Sequence, residues 1–480
     1  MDTACARSYV RLLRSELVCA LGCTEPIALA YAAALAARVL GAPCEHVSVA
    51  CSGNIIKNVK SVAVPNAEGM KGVECAATLG VIGGDPTARL QVLQAVTHDD
   101  VERTRDAVAR GFCDVELVEG VPNLHIVATV RGVDAAGARH EASVTISERH
   151  TNVTRVTYDG ADVAPERVEA ICPGALDVEP DGCGCAGDAR EEGAGTAGDE
   201  APRDGDAAGG EATESCEEVK ASLTMERICD FARTADLDAL PGLREVLERQ
   251  IACNTAISQE GLSGHWGSEI GRTIMATRPI DVTTRMRARA AAGSDARMGG
   301  CSLPVVINSG SGNQGVTVSL PVIEYAETVH APHDQLLRAL ALANLCALHL
   351  KHYIGSLSAF CGVVCAAAGA GAGVTYLAGG TTAQIGSTVV NTLANVGGIM
   401  CDGAKASCAA KIASAVDAAM LGHQMAMLGD DFCAGDGLVA SDVETTIMSM
   451  GYVGRVGMRD TDNEILKIMI GKTGPEEMRC

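Results

Sequence analysis

Between Tyr353 and Cys401 the chain carries no acidic or basic side chain. A run of that length must be buried, and its composition decides how. Ten glycines from Gly355 to Gly398 interrupt it, and Ser, Thr, Asn and Gln occur throughout. A membrane span needs ~20 predominantly apolar residues in succession. The run therefore reads as buried Gly/Ala-rich helices of a globular core. Aromatic residues make up only 2% of the chain, so Ala, Val, Leu, Ile and Gly must fill that core through many close helix–helix contacts.

Three cysteines mark this region. Cys361 lies inside the run, Cys401 ends it, and Cys408 follows shortly after. Thiolates in charge-poor surroundings suit a soft metal, and three ligands in place of four leave a coordination position open. The spacing is not the C-x2-C of a zinc ribbon or a bacterial ferredoxin. Cys346, Cys365 and Cys433 lie nearby and would also serve on spacing alone.

The formal net charge of −22 argues against nucleic acid as a partner, because phosphate backbones need clustered Lys and Arg. Residues 177–218 alone carry −12 of it. The chain has 21 cysteines, an odd number, and the charged stretch from Met1 to Val18 lacks the apolar core of a secretory signal. The expectation is a cytoplasmic, reducing compartment, with thiols or metal ligands in place of disulfides.

The pattern along 480 residues predicts an α+β fold, a mainly helical part plus an inserted small α/β domain. Residues 1–44 read as N-terminal helices, the first over 8–21 with Tyr9, Leu12, Leu13, Leu17 and Leu21 on one face. The second runs to Leu40, with Thr24 as its cap and Pro26 in its first turn. Residues 45–172 form the inserted domain, with strands at His46–Ser52, Asn123–Val130, Glu141–Glu148 and Asn152–Tyr158 and a hairpin at Gly132–Gly137. Residues 173–218 read as an acidic disordered linker, in which Cys183 and Cys185 are incidental. Residues 219–480 are mostly helical, interrupted by a strand-like patch at Leu303–Leu320.

Three further segments carry candidate chemistry. Gly310-Ser311-Gly312-Asn313-Gln314-Gly315 matches G-x-G-x-x-G, but the β-branched residues and Pro321 that follow it do not read as the helix a dinucleotide loop must open. Its backbone N–H groups, with Ser309, Ser311, Asn313 and Gln314, suit a small carboxylate. Ser52-Gly53-Asn54-Ile55-Ile56-Lys57-Asn58 leaves a strand as a dense polar cluster, read either as a solvated turn or as a site with Lys57 as proton carrier. In Gly22-Cys23-Thr24-Glu25-Pro26, Cys23 sits where a helix begins, a place that favours thiolate.

Together with Cys401-Asp402-Gly403-Ala404-Lys405-x-x-Cys408, these segments resemble the L-cysteine desulfidase family, an iron–sulfur group similar to the α domain of bacterial iron–sulfur L-serine dehydratases. The likeness spans nearly the whole chain outside 173–218. It implies that Cys361, Cys401 and Cys408 hold a 4Fe-4S cluster in a catalytic domain over 219–480. It implies conversion of L-cysteine to pyruvate, ammonia and sulfide. Ser52, Asn54, Asn58, Ser309, Ser311, Asn313 and Gln314 would then bind the amino acid. Cys23 would be the α-proton base, a temporary iron ligand or a sulfur acceptor, with Lys57 as rival base. Cys365 competes for the first ligand position. In the related dehydratases the chain terminus reaches the active site, a role open here to Cys480. The expected partner is a small amino acid, neither nucleic acid nor membrane, with a homodimer as the self-association considered. The rival readings are an L-serine dehydratase, a non-catalytic redox cluster protein and a zinc-stabilised binder.

Overall fold

Helix Gly362–Leu377, the heart of the charge-free run, is buried without a break from Val363 to Thr375. It packs against helices Gly312–Thr328, His333–Ile354, Thr382–Val396 and Cys408–Leu428. Such crowding requires residues without bulk. A Cβ at Gly369 would stand 2.5 Å from the Ala343 carbonyl oxygen, so helix axes approach closely where side chains are absent. Among the described residues no helix is long and apolar enough to cross a membrane. The computed structural model describes residues 3–176, 214–355 and 357–474. The centre of the acidic linker, Cys183, Cys185 and Cys480 lie outside them.

The remainder of the α+β fold is a six-stranded sheet. Its order is Cys113–Val118, Cys44–Ser52, His125–Val133, Arg139–Ser147, Val153–Tyr158, Ala161–Asp162, and only the first pair is parallel. Burial alternates along the central strands, leaving one wet face, which is why period two was visible in the sequence. The sheet packs on helix Thr24–Leu40, and helix Val73–Gly83 packs beside it, touching strands Cys44–Ser52 and Cys113–Val118. Asp134 N–H donates to Ala138 O at 2.9 Å, and Gly137 (φ +85°) turns the hairpin between the third and fourth strands.

Four local expectations change. The first helix ends at Glu16, and Cys19–Leu21 is a strand instead, paired antiparallel with Pro304–Val306. Thr24 does not cap the second helix: Cys23 is its N-cap, and the Thr24 hydroxyl donates to Gly310 O at 2.9 Å. Residues Gly53–Val59 are a short helix, not a turn. The strand-like patch keeps only Pro304–Val306, and Gly312–Thr328 is a helix that runs through Pro321. Burial on nearly every side of that helix overrides its β-branched propensity. Its hydroxyls turn inward, Thr317 Oγ1 donating to Asn313 O at 2.6 Å and Ser319 Oγ to Gly315 O at 2.8 Å. The glycine loop therefore does open a helix. The strand before it belongs to a two-stranded antiparallel sheet, so a parallel βαβ nucleotide unit is still absent there.

Asn254 fixes this strand to the helix. Its Nδ2 donates to Val306 O at 3.2 Å and to Ser319 Oγ at 2.9 Å, and its Oδ1 accepts from Val306 N at 2.8 Å. A Cβ at Gly315 would lie 2.0 Å from that same Val306 oxygen. Gly315→Ala is therefore expected to cost roughly 1–3 kcal/mol by overpacking. Thermal denaturation checks this: Tm should fall by several degrees, and an unchanged Tm would mean that strand and helix are free to separate.

Candidate functional site

The antiparallel bridge between Phe360 and Met400 closes the two ends of the charge-free run. Cys361 N donates to Ile399 O at 3.0 Å and Cys401 N to Ala359 O at 2.6 Å. Ser358 braces the same turn, its Oγ donating to Gly454 O at 2.7 Å and accepting from Phe360 N at 3.1 Å. Cys361 thereby becomes the N-cap of helix Gly362–Leu377, and Cys408 is the first residue of helix Cys408–Leu428. All three thiols line one cavity of about 1390 Å³. Cys365, one turn into its helix, is buried and does not line it.

The charge around these thiols favours thiolate at one of them. Cys361 donates to Cys401, and that hydrogen bond, helped by Lys57, Lys351 and the Gly403 N–H, draws Cys401 well below the ordinary thiol range. Burial holds Cys408 above it. Against the burial that opposes it, the ammonium groups of Lys405 and Lys411 hold Asp402 down at about 2. Lys411 Nζ reaches Asp402 Oδ1 at 2.5 Å and Met400 O at 2.6 Å. The three sulfurs are not all within 4.8 Å of one another. Ligands on one tetrahedral zinc, each at ~2.3 Å, would be closer than that.

Most other sequence candidates share the cavity. Cys23, Asn54, Lys57, Asn58, Ser309, Ser311, Asn313 and Gln314 all line it. Ser52 does not: it is the N-cap of helix Gly53–Val59, and its Oγ donates to Asn123 O at 2.6 Å. Lys57 is buried and ion-paired to Asp462, which also accepts from Asn54 Nδ2 at 3.0 Å. The ion pair ties the Lys57 ammonium to the helix that carries Asp462. Cys23 keeps its proton: burial first, then the Glu25 carboxylate, push the thiol well up, and its Sγ donates to Glu25 Oε2 at 3.0 Å. The helix start alone would favour thiolate, but burial and then the adjacent carboxylate outweigh it.

Ser309 (φ +50°) and Gly310 (φ +73°) form a left-handed pair at the mouth of helix Gly312–Thr328. A buried amide relay holds this turn: Ser309 Oγ donates to Asn308 Oδ1 at 2.8 Å, and Asn308 Nδ2 to Asn344 Oδ1 at 3.0 Å. Asn344 in turn exchanges hydrogen bonds with Gln250.

Two cavity residues escaped the sequence reading. His150, in the turn between strands Arg139–Ser147 and Val153–Tyr158, comes in from the sheet, and its Nε2 has no hydrogen-bond partner among the described residues. Burial lowers its pKa, so the imidazole is neutral at pH 7. Arg297, near the end of helix Val282–Met298, is only 1% exposed. Nothing local in the sequence sets it apart from Arg285, Arg287 and Arg289 on the same helix.

The family model described as serine dehydratase alpha chain matches residues 87–467. Among curated proteins, a UPF0597 protein of Lachnoclostridium phytofermentans is 42% identical, covering 97% of this chain and 99% of its own. One from Desulfitobacterium hafniense is 41% identical, with 97% of each chain covered. One from Porphyromonas gingivalis is 34% identical, over 98% of this chain and all of its own.

The Cys23–Glu25 pair gives a direct test. Iodoacetamide should modify Cys23 slowly at pH 7 relative to the exposed Cys433, with a rate that rises only above the ordinary thiol range. Glu25→Gln removes the like charge and should speed modification at neutral pH several-fold, read by mass spectrometry of the Cys23 peptide. Equal rates in both proteins would show that Glu25 does not hold the proton on sulfur.

Proposed function

The chain belongs to the serine dehydratase alpha-chain family, and from its cavity we propose that it is an iron–sulfur lyase acting on L-cysteine. The reaction is α,β-elimination to sulfide and aminoacrylate, followed by hydrolysis to pyruvate and ammonia. The observation that carries this reading is the meeting of Cys361, Cys401 and Cys408 with the Ser309–Gln314 turn and the Asn54–Asn58 helix in one cavity.

The donor set fits a 4Fe-4S cluster: three cysteine sulfurs on one cavity wall, beside Lys57 and Lys351. When bound, such a cluster supplies a Lewis-acidic iron at the position the three thiolates leave free, where a departing sulfur or oxygen is stabilised. The chain's own residues do the rest. His150, neutral and with a free Nε2, takes the α-proton. The C–H electron pair becomes the Cα–Cβ double bond, and the Cβ–S pair leaves with sulfur, so no net oxidation occurs. Lys57, fixed by Asp462, keeps positive charge against the thiolate wall. Cys23 and Glu25 hold one shared proton beside His150.

The family description itself favours a second reading, L-serine, with hydroxide as the leaving group. The test is anaerobic purification and an assay of both substrates side by side. Faster sulfide release from L-cysteine than pyruvate formation from L-serine supports the first reading, and the reverse supports the second. Changing Cys361, Cys401 or Cys408 to Ala should remove iron and brown colour, whereas Cys365→Ala should keep both. His150→Ala should retain colour and lose turnover by about 100-fold or more. Retention of iron in all three ligand variants would sink the cluster assignment.

A further inference from the structure

Arg297 is a buried guanidinium that forms no ion pair among the described residues. Its side chain is only 1% exposed, and its Nε has no hydrogen-bond partner among the described residues. The nearby carboxylate, Glu25, is engaged by the Cys23 thiol at 3.0 Å and the Thr24 hydroxyl at 3.2 Å. An unpaired buried charge is among the costliest features a fold can keep. On the same helix the partly buried Arg289 is paired with Glu324 and Glu327 at 2.8 and 2.6 Å.

The position of Arg297 supplies the reason. A Cβ at Gly312 would lie 2.2 Å from Arg297 Nε, so the guanidinium rests directly on the first residue of helix Gly312–Thr328. Ser311 does not cap this helix with its side chain, and the N–H groups of its first turn have no intrahelical acceptor. A guanidinium and a helix N-terminus repel each other unless an anion lies between them. Both border the cavity. Around the same turn, Asn313 Oδ1, Gln314 Oε1 and Asn54 Oδ1 are buried acceptors without donors.

We infer that Arg297 and the N-terminus of helix Gly312–Thr328 form the α-carboxylate subsite, with the three amide oxygens accepting from the α-ammonium. The subsite selects a free, zwitterionic α-amino acid and rejects its amides and peptides. The inference deepens the lyase reading by naming what the Ser309–Gln314 turn grips, and Gly312 is glycine because the guanidinium occupies the place of a side chain.

The probe is L-alanine, which has no β-leaving group and is not turned over, with L-alaninamide as control. Binding is measured by calorimetry on the full chain purified anaerobically, alongside Tm without ligand. Wild type should prefer L-alanine over L-alaninamide by about 100-fold. Arg297→Met should lose that preference through weaker L-alanine binding alone. Its ligand-free Tm should rise, because an unpaired buried charge is gone; a merely structural arginine would lower Tm. Arg297→Lys, which keeps the charge without the planar fork, should bind L-alanine about tenfold more weakly than wild type. L-alanine affinity within threefold of wild type in a folded Arg297→Met overturns the subsite; should that variant fail to fold, unchanged affinity in Arg297→Lys does so. Equal binding of the amide and the acid by wild type also overturns it. Absence of iron or of pyruvate formation would instead overturn the lyase reading and leave this result standing.

Discussion

The Phe360–Met400 bridge is the contact from which the site is built. Helices Gly362–Leu377 and Thr382–Val396 form a packed hairpin, so Cys361 before the first and Cys401 after the second come to the same end, and the backbone pairing fixes them there. The pairing is short, so it must be held from outside. Ser358 ties it to Gly454, and the Gly362–Leu377 helix behind it is locked among four others. Gly362 has a related job: a Cβ there would press on the Gln314 side chain at 2.7 Å, so the cysteine wall and the glycine loop close against each other. A core of small residues thus holds the backbone that carries the three cysteines.

Charge is the second constraint. The chain as a whole is strongly acidic, at −22. The cavity is the reverse: Lys57, Lys351 and Arg297 are all buried at its wall. Lys57 has Asp462, and Lys351 donates to the Gly355 carbonyl and faces the thiols. Positive charge concentrated where water is scarce attracts anions far more strongly than the same charge on the surface. Cys401, drawn toward thiolate, answers part of it. Arg297 is the part left over.

The sequence made the frame legible because the frame obeys periodicity. Strands with one wet face alternate, and a helix with neighbours on all sides has no charge. The four motif blocks also pointed to one place, and only Ser52 turned aside to hold Asn123. What stayed hidden was decided by tertiary packing. The Gly312–Thr328 helix looks like a strand because its β-branched residues satisfy a core, not a solvent boundary. Arg297 sits among arginines that would suit any solvated helix face, and only its burial separates it from Arg285, Arg287 and Arg289. His150 is one polar residue in a polar turn. Cys23 was placed correctly at a helix start, but its protonation depends on a carboxylate two residues away that points back at it.

The division of labour between the two parts of the fold follows from this. The helical part supplies rigid items: sulfurs, the amide-held turn and Arg297. The sheet supplies His150 through a turn that carries no part of the thiol wall. His150 is buried, which lowers its pKa, in a turn that takes no part in placing the sulfurs, so the two surroundings are set by different packing. Thr24, whose hydroxyl holds Gly310 O, links the two parts, since its helix packs on the sheet while its first turn grips the glycine loop. A Cβ at Gly310 would lie 3.3 Å from His150 Cε1, so the histidine carried by the sheet and the glycine loop carried by the helices meet at that one turn.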